Sequence, residues 1–291
     1  MNLLDTCLLG LLAGVTIVIG LPIGRLRKPA PSLKLVLNAT AVGILLFLVW
    51  DVFSAAWEPI DAALGALHDD EGGIGPVLGY GALFVGGLAV GLLALVAYDR
   101  YLARAAARTA SGSLVGPGAM SVHERPARGV AAWSAARRTS LLIAVGIGLH
   151  NLAEGLAIGQ AAASNAIGLA TVLVIGFATH NATEGFGIVA PLAGDVDADG
   201  TTRRPSWGFL LGMALIGGGP TFLGTVIGHG FTSDAVSVLF LTLAAGSIVY
   251  VVAQLLGVAA RARRSDLLAY GLLIGLVAGF ATDAIVTAAG V

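Results

Sequence analysis

Cysteine is almost missing from this chain: Cys7 is the single one in 291 residues. That excludes an internal disulfide and any cage built of thiolates. Charge is scarce as well. Asp, Glu, Lys and Arg together make up 11% of the residues, far below the roughly 25% of soluble domains, so an ordinary soluble fold is excluded. The net charge of -1 leaves no electrostatic footprint for nucleic acid. No Gly-x-x-x-x-Gly-Lys-Ser/Thr loop is present, and nucleotide-driven chemistry goes with it.

What fills the chain instead is apolar: 57% hydrophobic residues and a mean hydropathy of +0.90. A hydrocarbon core about 30 Å thick takes about 20 such residues per helix. Eight runs qualify: Leu3–Ile23, Leu33–Phe53, Val77–Tyr98, Ser140–Ala162, Ile167–Pro191, Trp207–Ile227, Ala235–Leu256 and Leu267–Ala288. The expected fold class is an all-α polytopic membrane protein with eight transmembrane helices, forming one transmembrane domain over 1–291. The first run has no basic residue before it and Arg25, Arg27 and Lys28 after it, so it reads as a retained helix rather than a signal peptide. Of the 42 glycines, many recur at four-residue spacing within apolar runs, as at Gly155/Gly159 and Gly271/Gly275/Gly279. Such spacing brings helix backbones together in lipid.

Orientation follows from the basic residues, which concentrate in cytoplasmic loops. All sixteen Lys and Arg fall in the first, third, fifth and seventh loops. They share one side only with eight spans and both termini outside. The opposite face carries Asp5, Glu58, Asp61, Asp69, Asp70, Glu71 and Asp234, with His68 and His229 nearby. The third loop, residues 99–139, is cytoplasmic and reads as a flexible Ala/Arg/Gly/Ser-rich linker around Ser111–Gly118. In the fifth loop Asp195, Asp197, Asp199 and Gly200 imitate the start of a calcium loop. The twelfth position, where a bidentate Glu belongs, is Ser206, and Arg203 holds the ninth, so a solvated turn is expected there.

Against this background the polar residues inside spans stand out, since ionisable groups in the bilayer are costly and mark function. Span four reads His150-Asn151-Leu-Ala-Glu154-Gly155 and span five His180-Asn181-Ala-Thr-Glu184-Gly185. One pattern, His-Asn-x-x-Glu-Gly, thus occurs twice. Residues i and i+4 share a helix face, so His150 and Glu154 point together, as do His180 and Glu184. The turn between the spans lies near Asn165, which puts both histidines at similar depth near the bilayer middle, with the glutamates about 6 Å to either side. Two antiparallel helices with one motif form an inverted pair, the arrangement in which transporters build midplane sites. Imidazole, carboxylate and amide donors suit zinc, iron(II), manganese or cobalt, and the shortage of Cys and Met argues against copper(I). The bland alternative is that each His and Glu merely satisfy one another within the bundle.

At these residues the chain resembles the ZIP (Zrt-, Irt-like) family of divalent metal transporters, bacterial-type branch, whose spans four and five carry His-Asn-x-Pro-Glu-Gly. The resemblance extends to Gly14, Thr16, Gly20 and Gly24 in span one, Gly219-Pro220 in span six, and Ala244–Gly246 with Tyr250 in span seven. It implies a main transport site of His150, Glu154 and Glu184. A second site would use Asn151, Asn181 and the two glutamates as bridges, and His180 matches the motif as a further ligand. Ala153 and Thr183 replace the motif prolines, Gly219 replaces a usual Glu, and Gln254 and Leu255 stand where acids are common. One firm metal site with a vestigial second is therefore expected. Asp51 and Asp283, towards the outer ends of spans two and eight, are assigned to the path by which metal enters.

The expected function is a cell-membrane importer, not an enzyme, that carries Zn2+ into the cytoplasm by alternating access. Its partners are divalent metal ions and the lipid bilayer, with a homodimer compatible and no nucleic acid. Zn2+, or else Fe2+, Mn2+, Co2+ or Cd2+, is substrate rather than catalyst. Rival readings are a broad iron, manganese and cadmium carrier, an intramembrane metal-dependent hydrolase, and a metal sensor that does not transport.

Overall fold

Within a bilayer no hydrophobic force drives one helix against another, so close backbone approach has to be built from small residues. The computed structural model, which describes residues 1–25, 31–111, 129–165, 167–195, 203–230 and 233–288, is organised around such approaches. Among the described residues it holds eight α-helices and no strand: α1 (Leu3–Val15), α2 (Pro31–His68), α3 (Ile74–Ser111), α4 (Ala135–Ala163), α5 (Ile167–Val189), α6 (Trp207–Gly228), α7 (Asp234–Ala260) and α8 (Ser265–Ala288). Side chains start three of them: Asn2, Ser134 and Ser206 accept hydrogen bonds from the backbone N–H groups of Asp5, Arg137 and Phe209. Three connections use left-handed backbone at Asp70, Asn165 and Arg263.

Reciprocal glycine seams join the helices. Along α4 and α6, a Cβ on Gly148, Gly155 or Gly159 would land on the carbonyl oxygen of Ile216, Thr221 or Thr225. In return, one on Gly224 or Gly228 would land on that of Leu152 or Leu156. Gly14 and Gly218 face each other's carbonyls between α1 and α6, and Gly20 and Gly185 bring α1 onto α5. A second set works the same way, with Gly43 and Gly275 between α2 and α8, and Gly91 and Gly246 between α3 and α7. These seams join α1, α4, α5 and α6 and pair α2 with α8 and α3 with α7; α2 also packs on α7, which completes a second group, α2/α3/α7/α8. Where the groups meet, side chains make the nearest contacts: Gly146 of α4 faces Val251 and then the Ser247 carbonyl and Leu95, and Gly187 of α5 faces Leu255. Ser247 Oγ also donates across the boundary to the Gly146 carbonyl at 2.9 Å.

Seven helical segments are long and apolar enough to cross a membrane, and α5 is the exception. His180, Asn181, Thr183 and Glu184 dilute its second half. Several boundaries differ from the sequence reading. The α2 helix continues through Pro59 to His68, so Glu58 and Asp61 are helical rather than loop residues. The α3 helix runs on from Asp99 to Ser111, shortening the expected 99–139 linker, whose residues 112–128 lie outside the described ones. α1 tightens into 3-10 turns at Thr16–Ile19 and Leu21–Arg25, and Pro191 sits in a 3-10 turn, Ala190–Gly194, after α5.

A side chain at Gly155 would run into the backbone of Thr221 and Thr225, which cannot give way cheaply, while Gly79 has open space around it. Overpacking of a tight contact costs about 1–3 kcal/mol or more. Gly155→Leu is therefore expected to lower the thermal midpoint of the detergent-solubilised protein sharply, and Gly79→Leu to leave it nearly unchanged.

Candidate metal centre

The α4–α6 seam fixes the rotation of α4, and with it the direction of one polar face. His150 and Glu154, one turn apart, lie buried on that face, and α5 brings buried His180 against them. His180 Nε2 bonds Glu154 Oε1, and His150 Nε2 lies 2.8 Å from the same oxygen without hydrogen-bonding alignment. The two imidazole rings are 6.1 Å apart, and Phe177 packs edge-on against His180 at 5.5 Å. One donor atom from each of His150, Glu154 and His180 falls within a 4.8 Å span, a geometry able to hold a metal ion.

The two asparagines tie this centre to its supports. Asn151 Nδ2 donates to the Gly217 carbonyl of α6 at 2.9 Å and to Glu184 Oε2 at 3.2 Å. Asn181 Nδ2 donates to the Ala13 carbonyl at 3.1 Å, just before α1 tightens at Thr16. These bonds use only the nitrogen of each amide. Left without a hydrogen-bond partner among the described residues, though fully buried, are Asn151 Oδ1, Asn181 Oδ1, Glu154 Oε2 and Glu184 Oε1, together with His150 Nδ1. Buried polar atoms are normally satisfied, and a run of unmatched oxygens is what a cation supplies with partners. The simple alternative, mutual satisfaction of each His and Glu, leaves these oxygens unexplained.

A cavity of ≈ 390 Å³ opens onto the centre between α2, α4, α5 and α8. Its walls include His150, Glu154 and His180, and also Asp51 and Asp283, so these two acids share one space with the histidines. Glu184, Asn151 and Asn181 do not line it. The six motif residues thus divide into a cavity-facing set and a deeper set. The compact three-residue group contains His180 rather than Glu184, a grouping that spacing along two separate helices does not reveal.

Two contributors escaped the sequence reading: the carbonyls of Gly217 and Ala13. Part of the signal for the first was present, since Gly217-Gly218-Gly219 carries no side chains and so admits a neighbouring helix to the backbone. The acidic turn expected to be solvated is different too. Asp195 is 3% exposed and pairs with Arg137 at 3.2 Å, tying the N-terminal end of α4 to the segment after α5. Ser206 caps α6, while Asp197, Asp199 and Gly200 lie outside the described residues.

No family profile matches the chain, and no curated protein matches it.

Cobalt(II) reports such a centre through its visible absorption. One equivalent is expected to bind with His/carboxylate ligation, and Glu154→Gln to weaken it at least about tenfold, the scale of ligand-sphere losses. Binding is expected to fall as the solution is acidified, because imidazole ligates only when neutral. Unchanged affinity in Glu154→Gln would place the metal elsewhere.

Proposed function

We propose that this chain is an importer of divalent transition-metal ions, zinc first among them, acting by alternating access. The observation that carries the reading is the buried His150–Glu154–His180 group at the wall of a cavity that also holds Asp51 and Asp283, with four buried oxygens lacking partners beside it. In this reading all eight helices span the cell membrane, both termini face outside, and the cavity opens outward. The distribution of Lys and Arg among the loops supports that orientation.

Asp51 and Asp283 attract the hydrated cation into the cavity. The ion then exchanges water for His150, Glu154 and His180, two nitrogens and a carboxylate, a donor set that suits zinc. Glu184 Oε1 is the next oxygen inward. The helix grouping supports the mode of movement. All six motif residues stand on α4 and α5, inside the group sealed by backbone-level glycine contacts, whereas Asp51 and Asp283 stand on α2 and α8 in the other group. Seams of this kind keep each group rigid, and the side-chain boundary between them is where sliding costs least. Metal then moves with α1, α4, α5 and α6 against the remaining helices, an elevator-like displacement.

Uptake of radioactive zinc into proteoliposomes tests the reading. The native protein is expected to give saturable uptake that is abolished in the pair Glu154→Ala plus Glu184→Ala and slowed in Asp51→Asn. Competition with iron(II), manganese and cadmium would rank the substrates. Folded protein that binds zinc tightly but takes none up would contradict the carrier.

A further inference from the structure

The cavity has a small counterpart on the same helix seam. On α2 the cavity reaches as far as Thr40, and on α5 as far as Thr183. A second pocket starts at Asn38 on α2 and Phe186 on α5 and continues to Lys34 and Ala193, with Gly24 from the tail of α1 in its wall. The partition is two residues deep on one helix and three on the other, or about 3–5 Å at 1.5 Å per residue. Thr183 and Phe186 are three positions apart and share one face of α5. Beyond the cavity, the next residue on that face is Phe186, which lines the second pocket. Beside it, Gly187 adds no bulk: a Cβ there would stand 3.2 Å from Leu255 Cδ1 and 4.0 Å from Ala41 Cβ.

The two spaces differ in size and in charge. The inner one is ≈ 20 Å³, room for a single water. Asn38 Nδ2 donates to the Leu255 carbonyl at 3.1 Å, but its Oδ1, buried in the pocket wall, has no partner among the described residues. Asp51, Glu154 and Asp283 line the outer space, whereas the inner lining has half-buried Lys34 and, among the described residues, no carboxylate. A cation is thus drawn to one end of the seam and finds nothing to hold it at the other.

We propose that the inner pocket is the release vestibule of the metal route and that Phe186 is the gate separating it from the outer cavity. This rests on the carrier reading above. Asn38 Oδ1 offers the departing ion or its water an oxygen, and the Lys34 ammonium opposes its lingering and its return. Phe186 rides on the helix group that bears the metal ligands, while Lys34 and Asn38 belong to the other group. Displacement of one group against the other then carries the ring away from Asn38 and opens the vestibule.

Single thiols placed on the two sides of the partition, in a Cys7→Ser background, test the gate without requiring transport. Silver ions are applied from one side of the proteoliposome, and the thiol left unmasked is alkylated after denaturation and weighed. With Phe186 in place, Thr40→Cys is expected to be masked only from the face opposite Arg100 and Arg261, and Asn38→Cys only from the face that bears them. Phe186→Ala is expected to let either thiol be masked from both sides and to make zinc flux faster and non-saturable, while Phe186→Leu keeps the sidedness. Sidedness unchanged in Phe186→Ala, or both thiols masked from the same side in the native background, would overturn the gate. Sidedness as expected with no zinc uptake by the native chain would overturn the carrier reading alone.

Discussion

Glu154 carries the constraint on which the rest of the structure depends. A carboxylate removed from water into the middle of a helix bundle is tolerated only when its oxygens are matched, and one of its oxygens is approached by imidazoles from two different helices. Holding α4 and α5 at that separation falls to α6 and α1, whose carbonyls accept from Asn151 and Asn181. Those helices come close enough only because glycines replace side chains along the seams. Polar centre and glycine seams are one device: the seams fix the geometry, and the centre gives that geometry a use.

Most of the architecture was legible from patterning, since a run of about 20 apolar residues has few ways to satisfy its backbone other than a helix in lipid. The shared facing of His150 and Glu154 followed from helical periodicity, and the antiparallel pairing of α4 with α5 from a turn near Asn165. Three-dimensional grouping did not. Whether His180 or Glu184 joins His150 and Glu154 depends on the mutual rotation of two helices, which α1 and α6 set through contacts remote in sequence. The same reason hid Asp195, whose partner Arg137 lies 58 residues away. Helix ends were misjudged where polar residues continue a helix beyond its apolar stretch, as at Glu58 and Asp61 in α2 and at Arg100 and Arg104 in α3.

Charge gives the seam between α2 and α5 a direction. In the proposed carrier, carboxylates at one end lower the energy of an arriving cation and an ammonium at the other raises that of one that stays, which favours passage over storage. The partition between the two ends is less than one helical turn thick, and a displacement of that order would transfer the ion. In the proposed carrier the ligands move and the acids and the lysine remain. Attraction and release are thereby assigned to the stationary helices, and selectivity to the moving ones.

Zinc K-edge X-ray absorption on the metal-loaded protein tests the central claim most directly. The expected spectrum shows nitrogen and oxygen ligands at about 2.0–2.1 Å with outer-shell scattering from two imidazoles, reduced to one in His180→Ala. Substoichiometric zinc, or a spectrum identical in the native and His180→Ala proteins, would contradict a metal centre built from α4 and α5.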